Sequence, residues 1–161
     1  MTTSGNYGPS PAKGVRDQVA EIERTGTTTS VHIQHRPVVL LTMTGARSGA
    51  VRKVPLMRVE HEGRYAAVAS QGGAPEHPQW FHNLVAHPDI ELQDGTETSP
   101  VHARELEGEE RDEWWSRCVA AFPPYADYQT TTDRPIPVFL LEPRRPARRR
   151  PRRRPRRPRR H

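Results

Sequence analysis

A single cysteine, Cys118, is all the thiol this 161-residue sequence has, so no internal disulfide can form and no companion thiolate stands at zinc spacing. It reads as a small core or half-buried residue. Long apolar runs are missing too. No stretch of about 18 apolar residues occurs and the first residues hold no apolar signal region, which points away from secretion and membrane spanning and toward an intracellular chain. Nor is the body basic. The 25 Lys and Arg include twelve arginines between Arg144 and Arg160, which leaves 13 against 19 Asp and Glu in residues 1–143, a balance of −6. A face for nucleic acid would have to be built against that charge, so binding by the whole domain is disfavoured and the tail becomes a separate question. No Ser-His-Asp, Cys-His or paired-carboxylate arrangement stands out, so difficult chemistry would fall to a cofactor. No metal site is expected. His77, His82 and His87 are five apart and would diverge around a helix, while His32 and His35 lie in a loop-like stretch without a third ligand and read as exposed.

What is present divides into three parts. Residues 1–12, "MTTSGNYGPSPA", are rich in Ser, Thr, Gly and Pro and read as a flexible lead-in. Residues 144–161 are nearly all Arg and Pro, repel one another and have nothing to bury, so disorder is expected. Between them, 13–143 make one domain of ordinary size with no internal repeat.

The body opens with Val15, Val19 and Ile22 at helical spacing and Gly26 as a stop. "PVVLLTMT" (37–44) and "VRKVPLMRVE" (51–60) read as hairpin partners, and "HEG" (61–63) turns the chain into the strand-like "RYAAVAS". Three consecutive antiparallel strands are expected from these short links. Pro78 can begin a helix carrying Trp80, Phe81, Leu84 and Val85, which Pro88 ends. "DIELQD" and "VHARELE" make a strand pair around Gly95, "GEERDEWWSRCVAAF" a helix with acids in its first turn, and "IPVFLLEP" the last strand. Six strands with short links and segregated helices predict an α+β domain around a closed or nearly closed antiparallel barrel.

Three segments carry chemistry. The loop in "LLTMTGARSGAVRKVPLMRV" holds Gly45, Arg47, Ser48, Gly49, Arg52 and Lys53 between two pieces of core. Two glycines allow successive N–H groups to point inward as an anion-binding nest, and Arg47 and Arg52 can fork onto phosphate or carboxylate; the alternative is a solvated hairpin with ordinary surface cations. It has neither a Walker nor a dinucleotide pattern. In "ASQGGAPEHPQWFHNL" (69–84), bare backbone at Gly72 and Gly73 with Trp80 and Phe81 suits a flat ring system, or else a flexible loop before a core-facing Trp. In "FPPYADYQTTTDRPIP" (122–137), one helical turn would set Tyr125 and Tyr128 on one side to line a pocket; otherwise they are half-buried tyrosines of a connection.

Taken in order, "LTMTGARSGAVRKVPL", "VASQGGAPEHPQWFHNLVAHPDIEL" and "YADYQTTTDRPIPVFLLEP" resemble the deazaflavin-dependent nitroreductase family of actinobacteria over residues 13–143. Three separated motifs agree in order and spacing, which one Gly-rich loop would not. The resemblance implies a split β-barrel that binds reduced coenzyme F420 and passes its hydride to a quinone, a nitro compound or another conjugated acceptor. It further implies that Ala46, Arg47 and Ser48, with Arg52, Lys53, Val54, Pro55, Leu56 and Met57, lie near the phosphate and polyglutamate end of the cofactor. Val68, Ala69, Ser70 and Gln71 match the strand end beside the deazaflavin, and Gln79, Trp80, Phe81, His82 and Asn83 the start of the covering helix. Tyr125 and Tyr128 match tyrosines on the acceptor side, where a phenol such as Tyr125, or a water, would protonate the reduced product. The nitroreductase that names the family has tyrosine at the positions of Phe122 and Met57 and lysine at those of Arg47 and Gln71.

A cytoplasmic enzyme is expected, with loose attachment to the inner face of the plasma membrane allowed by the resemblance and strengthened by attraction of the Arg tail to anionic lipid. The tail could equally bind nucleic acid, and a homodimer is compatible with the resemblance. Two other readings compete: the same barrel with FMN or a tetrapyrrole, and a non-enzymatic module whose tail is the working part.

Overall fold

The computed structural model describes residues 12–144. The lead-in before Ala12 and the tail beyond its first arginine, with the expectations placed on them, lie outside the described residues.

Helix α1 (Lys13–Thr25) stops where expected: Gly26 takes φ 79°, a left-handed conformation that costs glycine little, and its N–H caps the Ile22 carbonyl. Strand β1 (His32–Ile33) is a two-residue element where a loop was expected, and its histidine is exposed as read. Strand β2 (Arg36–Thr44) shows no alternation because both of its faces are covered. Val38 and Leu40 pack with Val19 and Ile22 of α1, while Val39, Leu41 and Met43 point into the barrel. Burying one such side chain contributes about 1.5–3 kcal/mol, so this strand is a major anchor of the fold.

The run expected as one strand over 51–60 is two. Strand β3 (Val51–Met57) pairs antiparallel with β2; the chain then bends at Arg58–Val59, and β4 (Glu60–His61) pairs with β5 (Arg64–Val68). The bend has identifiable fasteners: Arg58 N–H donates to the Pro37 carbonyl at 3.1 Å, Ala66 N–H donates to the Val59 carbonyl at 3.0 Å, and the Arg58 guanidinium grips both carboxylate oxygens of Asp94. Each half therefore joins a different neighbour.

The remaining elements are α2 (Gln79–Ala86), β6 (Asp89–Asp94), β7 (Glu97–Glu105), α3 (Gly108–Ala121), α4 (Pro124–Thr130) and β8 (Val138–Pro143). Pro78 stands just before the first turn of α2 as its N-cap rather than in it. The sheet runs β1-β2-β6-β7-β8-β5-β4, all antiparallel, with β3 on β2. The bent run 51–61 thus joins the β2 side to the β5 side and curls the sheet into a split barrel. Among the described residues there are eight strands where about six were expected, the excess being the short β1 and β4.

Strand β8 is buried on both faces, with Phe139 and Leu141 inside the barrel and Val138 and Leu140 against α3 and α4. Trp114, Cys118, Phe122 and Tyr125 complete that second core. Burial pushes the Cys118 thiol up to about 12, so it stays protonated and inert. Among the described residues, no helix is long and apolar enough to cross a membrane, and no group of three or more His, Cys, Asp or Glu is placed to hold a metal ion.

Candidate cofactor cleft

The β2–β3 loop, the start of α2 and the inner side of α1 enclose a cleft of about 600 Å³. Its lining combines Arg47, Ser48, Arg52 and Lys53 with the apolar Val15, Met43, Val54 and Trp80. That volume is in the range of small-molecule sites. Nine of the residues expected from the sequence meet there: Ala46, Arg47, Ser48, Arg52, Lys53, Val54, Gln79, Trp80 and Asn83.

The loop is less open than an anion nest would be. Gly45 N–H donates to the Ala50 carbonyl at 2.8 Å, Gly49 N–H to the Gly45 carbonyl at 3.1 Å, and Ala50 N–H to Ser48 Oγ at 3.0 Å. Ala46 N–H goes to Oδ1 of Asn83, a buried residue of α2. Within the loop, the N–H groups of Arg47 and Ser48 have no hydrogen-bond partner among the described residues. Two glycines make this turn possible. A Cβ on Gly45 would lie 3.0 Å from Ser48 Oγ and 3.3 Å from the Ala50 carbonyl, and Gly49 has φ +73°. The result is a tight turn with two amides and an exposed Arg47 at its tip.

Lys53 reaches across the cleft to the carboxylate of Glu23 on α1. The lysine side chain is 23% exposed and the glutamate 46%, so the pair is partly screened and sits at the rim. Charge and wall together fit a ligand with an anionic end and a flat apolar end. The chemistry of the donor set, cations plus two free amides beside an indole, therefore accommodates F420.

The other expected residues lie elsewhere. Pro55 is buried in β3; Leu56 packs with the barrel interior, while Met57 and Val68 belong to the second core. Ala69 and Ser70 are buried at the end of β5, followed by an exposed Gln71 with φ 46°. Phe81 stacks on His77, ring centroids 4.1 Å apart, and meets Phe139 edge-on; His82 is exposed. His77 lies outside α2, so the divergence argument for the histidines does not apply to it, and its ring is 6.2 Å from that of His82. Tyr125 and Tyr128 share the helix α4, one of the two alternatives left open by the sequence, with their rings 6.3 Å apart, but neither lines the cleft. Tyr125 is buried, which raises its phenol well above the ordinary range, with smaller contributions from Cys118 and Tyr128. Tyr128 is half-buried, and its backbone abuts Gly73, so α4 supports the turn after β5.

Sequence reading missed four contributors, one of them Met43 of β2, which lines the cleft. Val15 of α1 lines the cleft, and Glu23 of the same helix pairs with Lys53 in its lining. Arg134 was passed over in "TTDRPIP": its guanidinium bonds the carbonyls of Ala69, Ser70 and Ala74. No local signal marks such an arginine.

Residues 14–143 match the model of the F420H2-dependent quinone reductase family, and the chain belongs to that family. An F420H2-dependent quinone reductase of Mycobacterium tuberculosis is 36% identical over 121 residues, covering 70% of this chain and 81% of that protein. A solved F420-H2 dependent reductase, FDR-A, is 59% identical, with TM-score 0.64 over 70% of this chain and 99% of its own. Another solved chain, described as a domain-swapped dimer, is 57% identical, with TM-score 0.66 over 83% of this chain and all of its own. This protein is therefore an F420H2-dependent reductase, with reduced coenzyme F420 as hydride donor.

Proposed function

We propose that the chain reduces a quinone, and that the cleft beside the β2–β3 loop holds the anionic end of the cofactor. The observation that carries the placement is the convergence of Arg47, Ser48, Arg52 and Lys53 on a cleft walled by Trp80 and Val54. The family, and a relative from M. tuberculosis that is an F420H2-dependent quinone reductase, support a quinone as the acceptor.

When bound, F420H2 supplies the hydride. The chain's own residues do the rest. Arg47 and Arg52 offer forked donors to phosphate or carboxylate oxygens, and the amides of Arg47 and Ser48 add two more. The bonded turn at 45–50, tied to α2 through Asn83, keeps those donors in place before the ligand arrives, which reduces the ordering cost of binding. The turn at 70–73 and the start of α2 form the ring side in this reading. Tyr125 carries its proton at physiological pH, as an unperturbed phenol already does; burial raises it further and makes it a weaker acid, so water is the alternative donor. Holding donor and acceptor in register supplies much of the rate. A homodimer is part of the proposal and draws on the dimeric relative.

The test is a fluorescence titration of the purified protein with F420 and, separately, FMN, at low and high salt. F420 should bind and FMN should not. Replacing Arg47 and Arg52 together by Ala should weaken F420 binding by roughly 2 to 5 kcal/mol, taking about 1–3 for each charge-assisted contact and discounting for exposure. Salt should weaken the wild type far more than the double variant. Equal affinity in a folded double variant would return the loop to an ordinary cationic hairpin.

A further inference from the structure

The segment between β5 and α2 has little regular structure, yet it is fastened from one point. Arg134 Nε donates to the Ala74 carbonyl at 2.9 Å, Nη2 to the Ser70 carbonyl at 2.8 Å, and Nη1 to the Ala69 carbonyl at 3.2 Å. Nη1 also lies 3.0 Å from His77 Nδ1. A guanidinium has no acceptor, so in that last contact the imidazole nitrogen must accept, and the ring proton resides on Nε2. One side chain thus gathers three carbonyls and selects a histidine tautomer.

A second fastening comes from α4. Gly73 has φ +83°, and a Cβ there would lie 2.2 Å from Thr131 Oγ1 and 2.9 Å from the Tyr128 carbonyl. The turn is pressed against the helix end as closely as glycine permits. His77 is meanwhile stacked on Phe81 of α2. Burial first, then the charges of Arg134 and His82, hold the imidazole below its ordinary pKa against the opposing charge of Glu105. A neutral, singly oriented imidazole suits the acceptor role that Arg134 demands.

We infer that Arg134 is a positioning residue of the reductase: its guanidinium sets the shape of the 69–77 segment and holds His77 as the Nε2–H tautomer, so that the segment is ready-formed when cofactor binds. This rests on the reading above that the segment forms the ring side of the site. A guanidinium that only stabilised the fold would leave tautomer and affinity unchanged in any variant that still folds.

The experiment compares wild type, Arg134→Lys and Arg134→Ala as full-length proteins. Nitrogen-15 spectra of histidine-labelled protein without cofactor report the His77 tautomer, and fluorescence titration reports F420 affinity. The wild type should show unprotonated Nδ1 and protonated Nε2 near neutral pH. Arg134→Ala should lose that pattern and bind F420 at least about tenfold more weakly, with part of the affinity restored by millimolar guanidinium ion. Arg134→Lys, which keeps the charge but not the fork, should fall between. A folded Arg134→Ala with the wild-type spectrum and affinity overturns the inference; if that variant does not fold, a wild-type-like Arg134→Lys overturns it instead. Should the wild type itself fail to bind F420, the cofactor reading falls and takes the affinity half of the inference with it, while the histidine spectrum still decides the clamp.

Discussion

Asn83 Oδ1 accepts the N–H of Ala46 at 2.9 Å across 37 positions of sequence, with Asn83 only 3% exposed. The bond makes the first turns of α2 and the β2–β3 loop one unit, so the walls of the candidate cleft do not move independently.

Two substitutions at Asn83 separate its structural and electrostatic effects. Asn83→Ala orphans the Ala46 amide and opens a small void, which should cost about 1–3 kcal/mol of stability and loosen F420 binding. Asn83→Asp keeps an acceptor but adds negative charge beside the anion-binding loop. Its binding of F420 should fall further than its melting temperature suggests, and salt should restore part of the loss. Thermal melts paired with fluorescence titration check both.

Glu23 occupies Lys53 at the rim of the cleft. An anionic ligand arriving there competes with that carboxylate, so Glu23→Gln should raise F420 affinity severalfold at low salt, and the gain should shrink as salt is added. Stability should change by less than about 1 kcal/mol, since the pair is partly exposed. Unchanged affinity would mean that Lys53 does not take part in binding.

Tyr125 tests the source of the proton. Tyr125→Phe removes one oxygen from a buried ring packed against Phe122 and near Trp115, so the fold should tolerate it. If the phenol donates the proton, turnover with several quinones should drop about tenfold or more at unchanged F420 affinity. Turnover equal to wild type would assign the proton to water.

Asp94 gives a pH signature away from the cleft. Burial raises its carboxyl pKa, but hydrogen bonds from Arg58 and Tyr65, with the arginine charge, outweigh this and hold it below the usual value. A depressed carboxylate stabilises the fold above its unfolded pKa, and that contribution is lost as pH falls through the folded one. Asp94→Asn should therefore cost about 1 kcal/mol near neutral pH, after allowing for partial exposure, and nothing measurable in strong acid. Tyr65, pushed up to about 12 by burial and by the bond to Asp94, should titrate lower in Asp94→Asn without reaching the ordinary value, because its burial remains. Denaturation at several pH values and phenolate absorbance supply the two readings.

Elements with a strong local signal were legible without tertiary information. Gly26 ends α1 because a left-handed residue is cheap only for glycine, and the acids of Glu109 and Glu110 open α3 where the helix dipole favours them. The cationic loop was legible for a similar reason: charge and glycine concentrated between two apolar runs leave few structural uses. The sequence by itself determined those elements and their order, and the family resemblance pointed to nine residues that line the cleft. Tertiary structure alone decided that the run 51–61 bends and pairs with two different strands, since local β-propensity is the same on either side of Arg58. It also decided that Tyr125 faces a core, that Glu23 meets Lys53, and that Arg134 reaches Ala69, Ser70, Ala74 and His77. A long side chain carries no mark of its partner in sequence; the contact exists only after barrel closure brings residues some sixty positions apart within hydrogen-bond reach.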